Sequence, residues 1–333
     1  MRALVTGGGG FLGGVIVRKL VARGDSVTSL ARGEYPELRA LGVNSVRGDV
    51  ADLESVRTAA EDCDVIFHVA AKAGVWGPYA EYHRANVVGT HNIVETCRQR
   101  DIPRLVYTSS PSVVFNGRDM EGADESTPYP THHEAPYPAT KAEAERLALS
   151  ANGANLSVVS LRPHLIWGPG DNHLFPRIVA KAKAGKLRRI GTIPKLIDAT
   201  YIDNAADAHL LAADRLAKGS PIAGKAYFIA QGEPIPIWDL IDQILAAAGL
   251  PPIVKSVPSW AAYAAGALCE GIYHALGRED EPPMTRFVAR ELTTAHWFNL
   301  DAARRDLGYN PVITTEEGMR RLSAWQHGQT PVG

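Results

Sequence analysis

The stretch Thr6-Gly-Gly-Gly-Gly-Phe-Leu-Gly13 constrains this chain more than any other. It follows a short apolar run, Ala3–Thr6, and opens a helical stretch, Phe11–Arg23, that Gly24 ends. Gly7 permits a tight turn, Gly10 lets the backbone approach a pyrophosphate, and Gly13 lets helix and strand pack closely. The first N–H groups of the helix, around Phe11, Leu12 and Gly13, then face the phosphates. Glycine triplets alone are weak evidence, because such a turn can be merely a turn. Set at the start of a βαβ unit, they read as a dinucleotide site.

The first half continues in the matching rhythm. Ser26–Ala31, Val43–Arg47, Asp64–Val69, Arg104–Thr108 and Leu156–Leu161 are short apolar runs. Between them lie the helical stretches Asp52–Ala60, Tyr79–Arg100 and Pro136–Asn152. Strands alternating with helices predict a parallel sheet covered on both faces. The expected fold class is therefore α/β, a Rossmann-type doubly wound parallel sheet with a smaller C-terminal α/β substrate domain. Beyond Gly168 the regularity falls away. The expected division is 1–165 for the dinucleotide domain and 166–333 mainly for the substrate, with 200–230 returning to the sheet.

Composition narrows the partners. A net charge of −1 leaves no basic excess to hold nucleic acid. Cys63, Cys97 and Cys269 are isolated and match neither a zinc site nor a disulfide framework, so a reduced, cytoplasmic setting is expected. Residues 1–5 run directly into a strand, which leaves no room for a signal peptide. His132-His133-Glu134 lacks a further ligand motif, and no metal is expected there.

The end of the second strand bears on the cofactor. A carboxylate there would bind the ribose 2′-hydroxyl, and a cation would meet a 2′-phosphate. The chain reads Leu30-Ala-Arg32-Gly33, so NADP(H) is favoured and NAD(H) stays open as the alternative, with Glu34 turned in to the ribose. Asp49 and Val50, after the third strand, fall where the adenine would lie; Asp49 could equally cap the next helix. His68-Val-Ala-Ala71, ending in Ala70, Ala71 and Lys72, closes the fourth strand at the carboxyl edge of the sheet.

Tyr137-Pro-Ala-Thr-Lys141 opens a helix, where residues four apart share a face. Positive charge from Lys141 would draw the Tyr137 phenol below its ordinary value near 10 and fit it for acid/base work. A hydroxyl to hold the reacting oxygen is offered by Ser109, Ser110 or Ser112, just past the fifth strand.

Together these residues resemble the extended short-chain dehydrogenase/reductases over nearly the whole chain. Leu161-Arg-Pro163 before Gly168-Pro-Gly170, and Tyr201-Ile-Asp203, strengthen the likeness. Ala71-Lys-Ala-Gly-Val-Trp-Gly77, Tyr107-Thr-Ser-Ser-Pro-Ser112, Leu165-Ile-Trp-Gly-Pro-Gly-Asp171 and Pro283-Met-Thr-Arg-Phe287 resemble the 3β-hydroxysteroid dehydrogenase branch. Within it they are most similar to bacterial 2-alkyl-3-oxoalkanoate reductases of long-chain olefin biosynthesis. The resemblance implies an oxidoreductase that reduces the 3-keto group of a long-chain 2-alkyl-3-oxo acid with NADPH. Tyr137 would protonate the nascent alkoxide, Lys141 would bind the nicotinamide ribose, and Ser110 would orient the carbonyl. Asn86 and Pro163 would lie near the cofactor, and a homodimer would form through the helices around Tyr79–Arg100 and Pro136–Asn152.

Rival readings are a 3β-hydroxysteroid dehydrogenase, a nucleotide-sugar epimerase or dehydratase, and a non-catalytic NADP-sensing protein. Ala31 replaces the acid frequent in sugar-nucleotide enzymes, and Arg162-Pro-His-Leu-Ile166 stands where they carry an asparagine. The intact Tyr137 and Lys141 weigh against a sensor. The segment Ser256–Cys269 is uncharged, with Trp260, Tyr263, Leu268 and Ile272 at helical spacing. It is too short to span a membrane. A buried helix is the first expectation; a wall for an apolar substrate and weak contact with a membrane surface are the alternatives.

Overall fold

The central strands of the sheet are buried nearly end to end, as cover on both faces requires. In the computed structural model, which describes residues 1–328, seven strands pair in parallel: β1 (Arg2–Thr6), β2 (Ser26–Ala31), β3 (Asn44–Arg47), β4 (Val65–His68), β5 (Arg104–Thr108), β6 (Ser157–Pro163) and β7 (Ala226–Ile229). Their spatial order is β7-β6-β5-β4-β1-β2-β3. The chain reverses its direction of travel between β1 and β4, and an open α/β sheet has its crevice at such a switch point. Thr6 is level with His68, and His68 with Tyr107, so the last residues of adjacent strands converge on that crevice.

Helices cover both faces. α1 (Phe11–Ala22) packs Val15, Ile16 and Leu20 into a core that continues into the C-terminal half, to Phe298 and Leu322. The other face holds a second core, where α2 (Gly89–Gln99) and α3 (Pro136–Ser150) meet Ile66, Leu105 and Val158. Helix α2 is preceded by the segment Tyr79–His83 and a π-turn, Arg84–Val88, so the sequence-predicted helix is one element with a bulge inside it. A π-turn within a helix commonly marks a functional site.

The C-terminal half supplies Ile235–Pro236, Leu196–Ile197 and His296–Phe298 to a small sheet completed by Met120–Ala123, and several helices, among them α4 (Ser259–Ala275) and α5 (Arg286–Glu291). Helix α4 departs from the first expectation for it. Only Ala262 and Gly266 are buried, whereas Trp260 is 75% and Leu268 65% exposed. The helix lies down on its small residues: a Cβ at Gly266 would come within 2.6 Å of the Thr285 carbonyl carbon. Close backbone packing therefore takes the inner face, and the large side chains turn outward. Among the described residues, no helix is long and apolar enough to cross a membrane. Trp167, by contrast, is core, edge-on to Tyr201.

One buried ion pair fastens α3 to the sheet. Glu145, fully buried, accepts from Arg162 (Nη2 to Oε1 2.7 Å, Nε to Oε2 3.0 Å), from Ser160 at 2.8 Å and from Tyr129 at 2.5 Å. Burial opposes its charge, but Arg162 and the hydroxyls outweigh it and hold Glu145 below the usual carboxylate range. Removing one member strands the other in the interior. Glu145→Ala is expected to cost about 3–5 kcal/mol of stability by urea unfolding. A Glu145→Leu/Arg162→Met pair should recover most of that loss, and equal losses in both variants would contradict this account.

Candidate active site

The crevice is built from the glycine turn outward. Gly7 has φ +70°, and a Cβ there would lie 3.1 Å from the Ala70 Cα. At Gly13 a Cβ would stand 2.2 Å from the Gly7 carbonyl oxygen, so α1 sits against the turn only because that residue is glycine. Gly10 is the N-cap of α1, with no side chain capping the helix and no acidic residue in its first turn. The free N–H groups near Phe11, Leu12 and Gly13 are thus left to an anion. This cradle fits a dinucleotide pyrophosphate.

A chain of hydrogen bonds locks the floor of the crevice. The Thr6 hydroxyl accepts from the Val69 and Ala70 N–H groups, both at 3.1 Å, and donates to His68 Nδ1 at 2.8 Å. His68 Nε2 therefore carries the proton and donates to Thr90 at 3.1 Å, and Thr90 donates to the Asn86 carbonyl at 2.6 Å. Burial, with the Lys141 charge assisting, pushes His68 down to about 3, so it stays neutral.

Asn86 sits in the π-turn, 2% exposed, with its amide fully engaged. Its Oδ1 accepts from Lys72 N at 2.8 Å, and its Nδ2 donates to the Lys72 carbonyl and to Thr140 at 3.0 Å. Asn86 thus ties the Ala70–Lys72 edge, where Ala71 is exposed, to α3. The Lys72 ammonium itself is paired with Glu81. Pro163 is buried at the end of β6, level with Ile229.

Tyr137 lies in the first turn of α3, partly exposed. One turn on, Lys141 is 3% exposed, donates to the Thr108 carbonyl at 2.6 Å and stands 4.3 Å from the centre of the Tyr107 ring. Burial draws its ammonium down to about 7, against the pull of Glu145. The phenol differs from the expectation that Lys141 lowers it. Burial holds Tyr137 above its ordinary value; the neighbouring Ser110 hydroxyl opposes it, while Glu291 and Tyr82 push further upward.

The serines separate cleanly. Ser110 caps a short 3₁₀ turn, Pro111–Val114, and accepts from Ser112 N at 3.2 Å and Ser112 Oγ at 3.0 Å. Its own proton remains to be donated. Ser109 is buried on the Glu145 side. Of the three serines, Ser110 is the one beside Tyr137.

At the adenosine end, Arg32 is exposed just beyond β2. Asp49 accepts from Ala51 N at 2.9 Å and Arg84 Nη1 at 2.8 Å. Burial opposes its ionisation, yet Ala51, Arg84 and Arg32 together hold it below the usual value. Asp49 is not the helix cap; Asp52 caps the helix Leu53–Ala59. Val50 is buried beside Gly89.

On the substrate side a cleft runs past Phe115, Asn116, Glu134, Pro138 and Phe287. Phe115 and Phe287 meet edge-on at 6.2 Å. Glu134 is held by Arg290 at 2.9 Å, and His132 and His133 form the rim. Glu291 faces this region; burial, then the Glu134 charge, raises its carboxyl to about 8. His164 is structural, donating to the Asp198 carbonyl at 2.8 Å and stacked on His296. Sequence reasoning missed Thr90, Thr140, Glu145 and Glu291. Only Glu145 carried a signal, standing one turn beyond Lys141 on the same face.

Residues 4–257 match the model of the 3-beta hydroxysteroid dehydrogenase/isomerase family. The chain belongs to that family. Two relatives share about half its residues. A 2-alkyl-3-oxoalkanoate reductase of Stenotrophomonas maltophilia is 51% identical over 97% of this chain and 99% of its own. A protein of the same name from Shewanella oneidensis is 48% identical over 97% of this chain and 85% of its own. The UDP-glucose 4-epimerase of Thermus thermophilus, solved in complex with NAD, superposes with a TM-score of 0.74 at 25% identity, covering 98% of this chain and 99% of that one. Family members act on the CH–OH/C=O couple, and the tyrosine, lysine and serine above are the side chains available for it.

The buried Lys141 makes stability depend on pH. Its value in the fold is about 7 against an ordinary 10.5, so above pH 7 the unfolded chain binds the extra proton. Stability then rises with pH across that window, as the cost of the buried charge is relieved. Lys141→Met is expected to exceed the wild type in urea midpoint at pH 7, with the gap closing towards pH 10. A gap independent of pH would mean that the ammonium is not the buried charge.

Proposed function

We propose that the protein reduces the 3-keto group of a long-chain 2-alkyl-3-oxo acid to the 3-hydroxy acid, with NADPH as reductant. The observation carrying this reading is Ser110 beside Tyr137, one helical turn before the buried ammonium of Lys141, with the cleft of mixed polar and apolar lining beginning at the next residue, Pro138. The names of the two relatives at about half identity support the choice of substrate. In this reading residues 1–165 hold the dinucleotide and 166–333 mainly shape the substrate site. The helices from Tyr79 to Gln99 and α3 form the face of a homodimer.

A nicotinamide held in the crevice would supply the hydride. Ser110, with its oxygen already accepting from Ser112, donates to the substrate carbonyl oxygen and polarises it. As hydride reaches the carbonyl carbon, the C=O electron pair moves to oxygen, and Tyr137 gives that oxygen its proton. A phenol held above its ordinary value by burial is a ready donor in this direction, because it is fully protonated at neutral pH. Lys141, fixed by Thr108, would hold the nicotinamide ribose. Arg32 meets the 2′-phosphate.

Turnover of a 2-alkyl-3-keto acid with NADPH tests this directly. Tyr137→Phe should lower kcat by about 10²-fold or more, with NADPH binding retained. Oxidation of 3β-hydroxysteroids with no keto-acid reduction would refute the substrate assignment. Arg32→Ala should weaken NADPH binding about tenfold and leave NADH unchanged, by fluorescence titration. Equal loss for both cofactors would remove the phosphate role.

A further inference from the structure

The outward face of α4 is unusual for a helix on the surface of a water-soluble domain. Trp260, Leu268, Ile272 and Leu276 are 75%, 65%, 46% and 66% exposed, with alanines and glycines between them. The only carboxylate of the helix, Glu270, is turned away from this face. It accepts from Arg286 N at 2.7 Å and Arg286 Nε at 2.6 Å, so its charge is neutralised against α5. From Ser259 to Ala275 the outer face carries no lysine, arginine or carboxylate, and the one basic side chain of the helix, His274, lies with its ring centre 4.7 Å from that of Trp76. Two more apolar side chains extend the patch at its N-terminal end, Ile193 at 73% exposure and Val254 at 86%. They adjoin α4 because Arg189–Ile190 pairs in parallel with Ser256–Val257, and Gly191 lies against Ser259.

Beside this apolar face lies a cationic one. Between Asp171 and Asp198 the chain has seven lysines and arginines and no acidic residue. Arg177, Arg189 and Lys195 pair with Glu281, Asp242 and Asp119. Lys183, Lys186 and Lys255 are exposed, and no ion pair engages them or Arg188 among the described residues. The segment is strapped to the α4 region by Lys181, which donates to the Pro283 carbonyl at 3.4 Å, and by Arg189, whose backbone N–H donates to the Lys255 carbonyl at 2.9 Å. The acids at the far end of α4 are largely spoken for, since Asp280 and Glu281 are bound by Arg278 and Arg177.

We propose that this face docks the protein on an anionic phospholipid bilayer. Helix α4 would lie in the headgroup boundary with Trp260, Leu268 and Ile272 downward, and Lys183, Lys186, Arg188 and Lys255 on the phosphates. An uncharged helical face with an aromatic anchor and a basic flank is the pattern of interfacial binding. Each cation near such a surface adds to the attraction, which falls with salt. A second copy of this chain fits less well, because a two-fold contact would set the same cationic flanks against each other. The docked helix also touches the loop that leaves the carboxyl end of β4. Trp76, in the loop after β4, packs edge-on against Tyr273 at 6.2 Å and donates to the Arg278 carbonyl at 3.2 Å. On the proposed reading of an apolar keto-acid substrate, the bilayer would be both the anchor and the reservoir.

Flotation of the full chain with vesicles tests the docking without reference to turnover. With equal parts phosphatidylglycerol and phosphatidylcholine at low salt, the wild type should float. Pure phosphatidylcholine should bind about tenfold more weakly, as should the anionic vesicles at high salt. Trp260→Ser/Leu268→Gln changes exposed side chains only and should lose about tenfold in partition with an unaltered Tm. Lys183→Glu/Lys186→Glu should abolish the preference for phosphatidylglycerol. Wild type that stays with the unbound protein on anionic vesicles, or a double apolar variant that floats as well as wild type, overturns the proposal. A wild-type dimer that the apolar variant converts to monomer, with no flotation by either, gives the face to a second copy. Keto-acid turnover in detergent-free solution is a separate readout: its absence with intact flotation would count against the substrate reading alone.

Discussion

Neutrality of one buried histidine organises the crevice. His68 sits at the switch point of the sheet, where both ring nitrogens must find partners because no water is available to them. Thr6 serves one nitrogen and Thr90 the other, and the direction of every hydrogen bond follows once Thr6 has accepted from two backbone N–H groups. From there the order spreads. Thr6 sets the chain after β4 against Gly7, Thr90 reaches the Asn86 carbonyl, and Asn86 joins the Lys72 backbone to Thr140 on α3. A charged imidazole would have no acceptor at Nδ1 and would face Lys141. The glycine turn and helix α3 therefore share one polar spine.

Helix α3 handles two opposite charges four residues apart. Lys141 and Glu145 would ordinarily pair on a helix surface. Here Glu145 is saturated by Arg162, Ser160 and Tyr129, and Lys141 is left with a carbonyl oxygen and the face of an aromatic ring. A neutral acceptor and a quadrupole hold an ammonium in place without cancelling its field. That leaves its charge free to act on whatever binds in the crevice. Arg162 is thus as much a condition of the lysine's role as the lysine's own position.

Much of this was legible in the chain because the signals were local. The glycine turn, the strand ends and the Tyr137/Lys141 spacing each follow from a few neighbouring residues, and β2 and β5 have the expected bounds. The serine needed the 3₁₀ turn, which decides whether Ser109 or Ser110 faces Tyr137 and has no mark in composition. Glu291 reaches the site from α5, far along the chain, so only tertiary packing brings it there. Helix α4 misled for a related reason. Its apolar residues suggest burial, but Gly266 and Ala262 pack more closely than large side chains allow, so the smallest residues took the inside.

The π-turn at Arg84–Val88 has a consequence for how this gene can change. Such a turn holds one residue more than ordinary winding, which offsets the helix before it from the helix after it by about 100°. Asn86 faces the crevice while Ile93 and Cys97 face the core only because that surplus residue is present. Substitutions along the exposed side of this stretch alter a surface and nothing else. Loss of a single codon would let the helix wind regularly and swing one half of it out of phase with the other. Here the count of residues is under stricter control than most of their identities.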